Sequence, residues 1–197
     1  AVNRGDLEKL AAELTSWQAA GGPPSDLLYQ AGVAAFVKNR RAEALRWFEE
    51  CLKREPNNVG AANNVAYLLT ELSGQDPTAM SRALKLAEQS YRQSGGQPAA
   101  ADTFGWALFK SGRAGDALPL LQRAIVAQPD DVRTHYHIAC TYQAVGQVEM
   151  ARHHFEHVAG TTKEPGLADE ARKALLQMPK VPQGSRPSAT TTTSQPA

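Results

Sequence analysis

From Thr103 to Pro129 the apolar positions recur at helical spacing in two short runs, separated by Ser111-Gly112-Arg113. Phe104, Gly105 and Leu108 share one face of the first run, and Ala117, Leu121 and Ala124 share one face of the second. The pattern predicts two amphipathic helices joined by a tight turn. Gly105 and Ala117 are small, so the two helix axes can approach closely where these residues meet. Pro129 cannot continue a helix, and the second one is expected to end just before it.

The same arrangement returns downstream. Ile138, Ala139 and Tyr142 repeat the spacing of Phe104, Gly105 and Leu108. Gly146 follows Gly112, Ala151 follows Ala117 and Phe155 follows Leu121, each by 34 residues, and Val158 stands where Ala124 did. The pattern G-x2-L, then A-x3-L-x2-A-x4-P, from Gly105 to Pro129 resembles the consensus of the tetratricopeptide repeat (TPR), whose period is the same. The resemblance implies an all-α fold, a TPR right-handed superhelical solenoid of antiparallel helix pairs with a C-terminal capping helix.

Read in this phase, the chain divides into four repeats over residues 25–163: 25–58, 59–97, 98–131 and 132–163. Gly32, Ala44, Phe48, Cys51 and Pro56 carry the first. In the second, Val65, Ala66 and Leu69 fill the first helix, and Ala83, Ala87 and Ser90 the second. From Ala44 to Ala117 is two periods plus five residues; the extra five fit at Gly74-Gln75-Asp76-Pro77-Thr78, where Asp76 can cap a helix that Pro77 opens. Residues 1–24, with Leu10, Leu14 and Trp17 in phase, read as an N-terminal half repeat or a capping helix. That half repeat and the initial Ala1 lead us to expect a fragment or processed product of a longer protein. Residues 164–178 read as the capping helix, with Leu167, Ala171, Ala174 and Met178 on one face to cover the last repeat. From Pro179 to the end, Pro, Ser, Thr and Gln dominate without apolar periodicity, so 179–197 is expected to be a disordered tail.

Composition narrows the function classes. A net charge of +1 gives no electrostatic case for nucleic acid as a partner. No apolar run approaches transmembrane length, so no direct membrane insertion is expected. Cys51 and Cys140 fall on helices of separate repeats and read as free thiols. No nucleophile with a base, phosphate-cradling loop or metal set stands at useful spacing, so no enzyme activity, cofactor or metal is expected. All five histidines lie between His135 and His157. His153 and His157 are four apart on one helical face, the spacing of a two-His metal site, but that face points away from Phe155 and Val158 and lacks a third ligand. They read as solvated surface histidines.

The resemblance implies where a partner would bind, because the first helix of each TPR lines the concave surface. The groove residues are then Tyr29, Val33 and Phe36; Asn63, Tyr67 and Thr70; Asp102, Trp106 and Phe109; and Tyr136, Cys140 and Gln143. Side by side, these aromatic-bearing stripes suit an apolar segment or an amphipathic helix. Trp106, near the middle, is expected to turn toward the groove as its main contact. The carboxylate-clamp class of the family, which grips a peptide C-terminus with Lys, Arg and Asn, is not matched: Asn63 and Asn64 are the only suitable amides, Lys110 is near its helix end and Arg133 stands alone. The function implied is a non-catalytic adaptor that binds a partner protein, peptide or helix in its groove. The alternative is a spacer or oligomerisation module, with a second copy as partner. The stretches from Asn63 to Pro98 and from Ala101 to Ile125 are also similar to bacterial TPR proteins of the cell envelope, many of which accompany exopolysaccharide export or protein sorting. This implies a periplasmic or envelope location, with the cytoplasm as the alternative.

Overall fold

The computed structural model describes residues 22–179, apart from 73 and 75. The expected half repeat at the N-terminus and the expected disordered tail fall almost wholly outside these residues. The described chain holds nine helices and no strand: α1 Ser25–Val37, α2 Arg41–Arg54, α3 Val59–Leu72, α4 Pro77–Gln93, α5 Pro98–Lys110, α6 Ala114–Ala127, α7 Val132–Ala144, α8 Val148–Ala159 and α9 Pro165–Gln177.

Local chemistry sets the helix ends. Asp76 accepts hydrogen bonds from the Thr78 N–H (2.9 Å) and the Ala79 N–H (3.4 Å), with Pro77 opening α4 as the sequence predicts. Asn58 caps α3 through the Ala61 N–H at 2.9 Å, and Asp131 caps α7 through the Thr134 N–H at 2.8 Å. At the turns inside the pairs, the Arg40, Arg113 and Gln147 N–H groups reach back to the carbonyls of Ala35, Leu108 and Tyr142, each at 2.9 Å. Each such turn needs one left-handed residue, supplied by Gly112 (φ 83°), by Gly146 (φ 79°) and, without a glycine, by Asn39 (φ 57°).

The helices pack as successive pairs, α1 on α2, α3 on α4, α5 on α6 and α7 on α8, and each pair rests on the next. The first helices also touch one another across pairs, α3 against α5 and α5 against α7, so they make the crowded inner face. Within a pair the axes meet at a small residue. A Cβ on Gly105 would lie 2.7 Å from Leu121 Cγ and 3.3 Å from the Ala117 carbonyl oxygen, and one on Gly32 would lie 2.6 Å from the Phe48 ring. Ala66 and Ala139 hold the corresponding places and are fully buried. A second tie recurs from pair to pair: the Cys51 thiol donates to the Ser25 carbonyl at 3.3 Å, and the Ser90 hydroxyl donates to the Val59 carbonyl at 3.1 Å.

Helix α9 closes the stack by burying Ala168 and Ala171 against α8, with Met178 tucked in behind them. It is fastened at its rim by Tyr136 to Glu170 (2.7 Å) and by Arg172 to the Ala159 carbonyl (2.8 Å). Both free cysteines lie within the stack, Cys51 fully buried and Cys140 half-buried.

The glycine notch yields a paired test by chemical denaturation. Gly105→Ala should lower stability by about 1–3 kcal/mol, because Leu121 Cγ cannot withdraw as a flexible chain end would. Gly115→Ala on exposed α6, where an added Cβ meets nothing within 4 Å, should raise it by about 0.5–1 kcal/mol. Equal effects at the two positions would contradict the close crossing.

Candidate functional site

The inner face does not present a row of free aromatic rings; it is a ladder of rings packed on one another. Phe36 meets Tyr67 edge-on at 5.8 Å between centroids, and Tyr67 approaches His137 at 6.5 Å. His137 stacks on Trp106 at 4.1 Å, and Trp106 stacks on Phe109 at 5.0 Å. Polar groups brace the ladder from the side. Trp106 Nε1–H donates to Glu71 at 2.7 Å, the same carboxylate takes Arg41 at 3.3 Å, and His137 Nδ1 faces both oxygens of Asp102 at 3.0 Å.

This packing corrects the expectation for Trp106. Its ring is 5% exposed, held between the His137 and Phe109 rings, and is not a free contact surface. The sequence places it one step round the helix from Gly105, which is right, but across-pair contact between α5 and α7 closes that side. Thr70 is also buried, its hydroxyl bonded back to the Ala66 carbonyl at 2.8 Å, and Asp102 is spent on His137. Tyr29, Phe36, Asn63, Tyr67, Phe109, Tyr136 and Cys140 are half-buried, and Val33 and Gln143 are exposed. Burial holds the Tyr67 phenol up at about 12, with the nearby Glu71 carboxylate adding to the rise. Burial likewise pushes the Cys140 thiol up to about 12, so it carries no reactive thiolate at neutral pH.

Toward the N-terminal ends of α3, α5 and α7 the ladder opens into a cleft of about 180 Å³. Phe36, Asn63, Asn64, Tyr67, Asp102, Thr103 and Arg133 are among its walls. Arg133 does not stand alone: its guanidinium lies 5.7 Å from the Phe36 ring centre and 5.6 Å from that of Tyr67, and it pairs with Glu164 at 3.1 Å. Periodicity could not bring Arg133 to Phe36, because that meeting depends on how four successive pairs curve together.

His153 and His157 lie on the surface as expected, while His135, His137 and His154 are buried. His153 and His157 are exposed, but the His157 ring lies flat on buried His135 at 3.8 Å. His135 Nε2 sits 2.8 Å from the Pro129 carbonyl oxygen, which accepts only a proton donor, so in the neutral ring Nδ1 is the acceptor. His154 Nδ1–H therefore donates to it at 2.9 Å. Burial, reinforced by His135, pushes His154 down to about 4. Among the described residues no group of three or more His, Cys, Asp or Glu is arranged to hold a metal ion, and no helix is long and apolar enough to cross a membrane.

Three comparisons bear on this arrangement. Residues 25–58, helices α1 and α2, match the family model of the tetratricopeptide repeat. The TPR repeat-containing protein PA4667 of Pseudomonas aeruginosa is 28% identical over 111 residues; the match takes in 56% of this chain but only 18% of that protein. Among solved structures, TTC0263, a thermophilic TPR protein of Thermus thermophilus, superposes with a TM-score of 0.64 at 16% identity, over 87% of this chain and 92% of its own. YrrB, described as a TPR protein with an unusual peptide-binding site, gives 0.53 at 18% identity over 90% and 87%. MamA from Desulfovibrio magneticus gives 0.54 at 19% identity over 79% and 90%.

Two expectations follow from these contacts. Trp106→Ala should lower unfolding stability by about 3–5 kcal/mol, as loss of a buried ring does, and an unchanged melting temperature would mean that the ring is free. The depressed His154 favours the neutral ring in the folded state. Its contribution is complete above the unfolded value near 6.5 and is lost as pH falls from there toward 4. Melting temperature should therefore fall across that window in the wild type and fall less steeply in His154→Gln.

Proposed function

Because the chain is a tetratricopeptide-repeat solenoid, we propose that it is a non-catalytic adaptor that holds a partner protein or peptide on its inner, first-helix face. The observation that carries this reading is the cleft beside Tyr67 and Phe36, the place where the packed ladder opens. Aromatic walls with amide and guanidinium groups at the rim suit a polypeptide, which offers both apolar side chains and a hydrogen-bonding backbone. The fold likeness to YrrB adds support, since that protein is itself described as peptide-binding. Of the residues first expected in the groove, Phe36, Asn63 and Tyr67 make the contact, while Trp106 stays packed between His137 and Phe109, outside the cleft wall.

A second reading, a spacer or oligomerisation module within a longer protein, draws on the Pseudomonas relative, of which the matched stretch is a small part. The two readings separate experimentally. Ten-residue peptides selected from a random display library on the purified chain should lose binding by about 2 kcal/mol in Tyr67→Ala, with melting curves establishing that the variant is folded at the temperature of the binding measurement. They should be indifferent to His153→Ala. Selected peptides that bind equally to Tyr67→Ala would remove the cleft from the reading. A mass that doubles with concentration in light scattering, with no peptide selected, would favour the oligomerisation module.

A further inference from the structure

The seam between α7 and α8 is closed by a bond between two imidazoles. His135 on α7 and His154 on α8 face each other through their Nδ1 atoms at 2.9 Å, and both rings are buried. His135 Nε2–H is committed to the Pro129 carbonyl, so the two facing nitrogens share a single hydrogen. Further rings crowd the pair. His157 lies flat on His135 at 3.8 Å, His153 meets His154 edge-on at 5.4 Å, and Tyr142 stacks on His154 at 5.6 Å.

Little around this pair offsets a positive charge. Burial disfavours charge on both rings, and His153 and His157 press the same way. At His135 the Pro129 carbonyl and the Asp131 carboxylate oppose this, but Asp131 is already engaged by the Thr134 N–H at the start of α7. At His154 every neighbouring charge disfavours protonation. The Tyr142 hydroxyl accepts from Gln122 of α6. Among the described residues no carboxylate is hydrogen-bonded to either ring, whereas buried His137 faces both oxygens of Asp102. A first added proton would leave a buried cation without a counter-ion. A second cannot be held, because both facing nitrogens would then carry hydrogen.

The position of the pair in the stack decides what its loss would do. Helix α8 packs on α7 and α9 and takes no extensive contact from α1–α6. In a stacked array such an end unit can separate without disturbing the units further in. Two ties would part with it, Arg133 to Glu164 and Tyr136 to Glu170. We infer that the imidazole pair is a proton-operated latch: in acid, α8 and α9 swing off α7 together while α1–α6 stay packed. Opening takes Glu164 away from Arg133 and so alters the rim of the cleft. The latch itself does not depend on what the cleft binds.

Amide hydrogen exchange of the full chain at about pH 7 and about pH 5, corrected for the pH dependence of free-amide exchange, reads the opening helix by helix. His154, held down at about 4 when closed and near 6.5 when open, makes opening about twentyfold more favourable at the lower pH. The opening constant should rise by that factor or more in α8 and α9, and less than about threefold in α1–α4. His154→Gln keeps an amide donor toward His135 and does not titrate. In that variant the rise in α8 and α9 should fall below about fivefold. An equal or larger rise in α1–α4, or an undiminished rise in α8 and α9 of folded His154→Gln, would overturn the latch. Should the variant not fold, nitrogen NMR of the wild-type imidazoles decides. His154 should keep its neutral Nδ1–H form at about pH 5. A charged His154 at that pH, with α8 still protected, would equally overturn the latch.

Discussion

Everything in this fold depends on how closely two paired helices approach. At Gly105 the backbone of α5 lies against Leu121 and the Ala117 carbonyl of α6 with no room for a methyl group, and Gly32 makes the same contact with Phe48. That contact fixes the rotation of each first helix about its own axis. Once the glycine face is turned to the partner helix, the next position round must face along the stack. Trp106 follows Gly105 by one residue, and this is why its ring meets His137 of the next pair and not solvent. The small residue thus sets the packing within a pair and the contact between pairs at once.

The ladder that results is both floor and frame. Rings from α1, α3, α5 and α7 pass contact from one pair to the next, and ion pairs such as Arg41 with Glu71 and Arg133 with Glu164 brace its edges. The individual pairs are exposed enough to be worth little alone. Their value lies in holding Glu71 against the Trp106 indole and Arg133 over the Tyr67 ring. A surface so fully internally bonded has little left to offer a ligand, and the cleft beside Tyr67 gains its significance from being the place where that bonding is incomplete.

The fold was legible in the sequence because it is built from local signals. Gly105 and Ala117 announced the close crossing, Gly112 and Gly146 the left-handed turns, and Asp76-Pro77 the start of α4. These are decided within a few residues, so periodicity and capping chemistry suffice to find them. Asn39 was missed as a left-handed turn residue although asparagine, after glycine, adopts that conformation most readily; its alignment with Gly112 and Gly146 marks it as well. The site was less legible. Facing the groove and being open to it are different properties, and the second depends on contacts 35 residues away, as between Asp102 and His137. Arg133 was judged solitary because its partners lie far from it along the chain, Glu164 at the start of α9 and the Phe36 ring in the first pair. The buried bond between His135 and His154 escaped because the repeat pattern treats the last pair like its predecessors, while this one alone fills its interior with imidazoles.

On the function proposed above, a polypeptide binds at the opening of the ladder beside Tyr67. Amide hydrogen exchange of the whole chain, with and without a selected peptide at saturating concentration, tests it most directly. Exchange should slow in the N-terminal turns of α3, α5 and α7 and change little in α2, α4, α6 and α8. Protection confined to those second helices would contradict it.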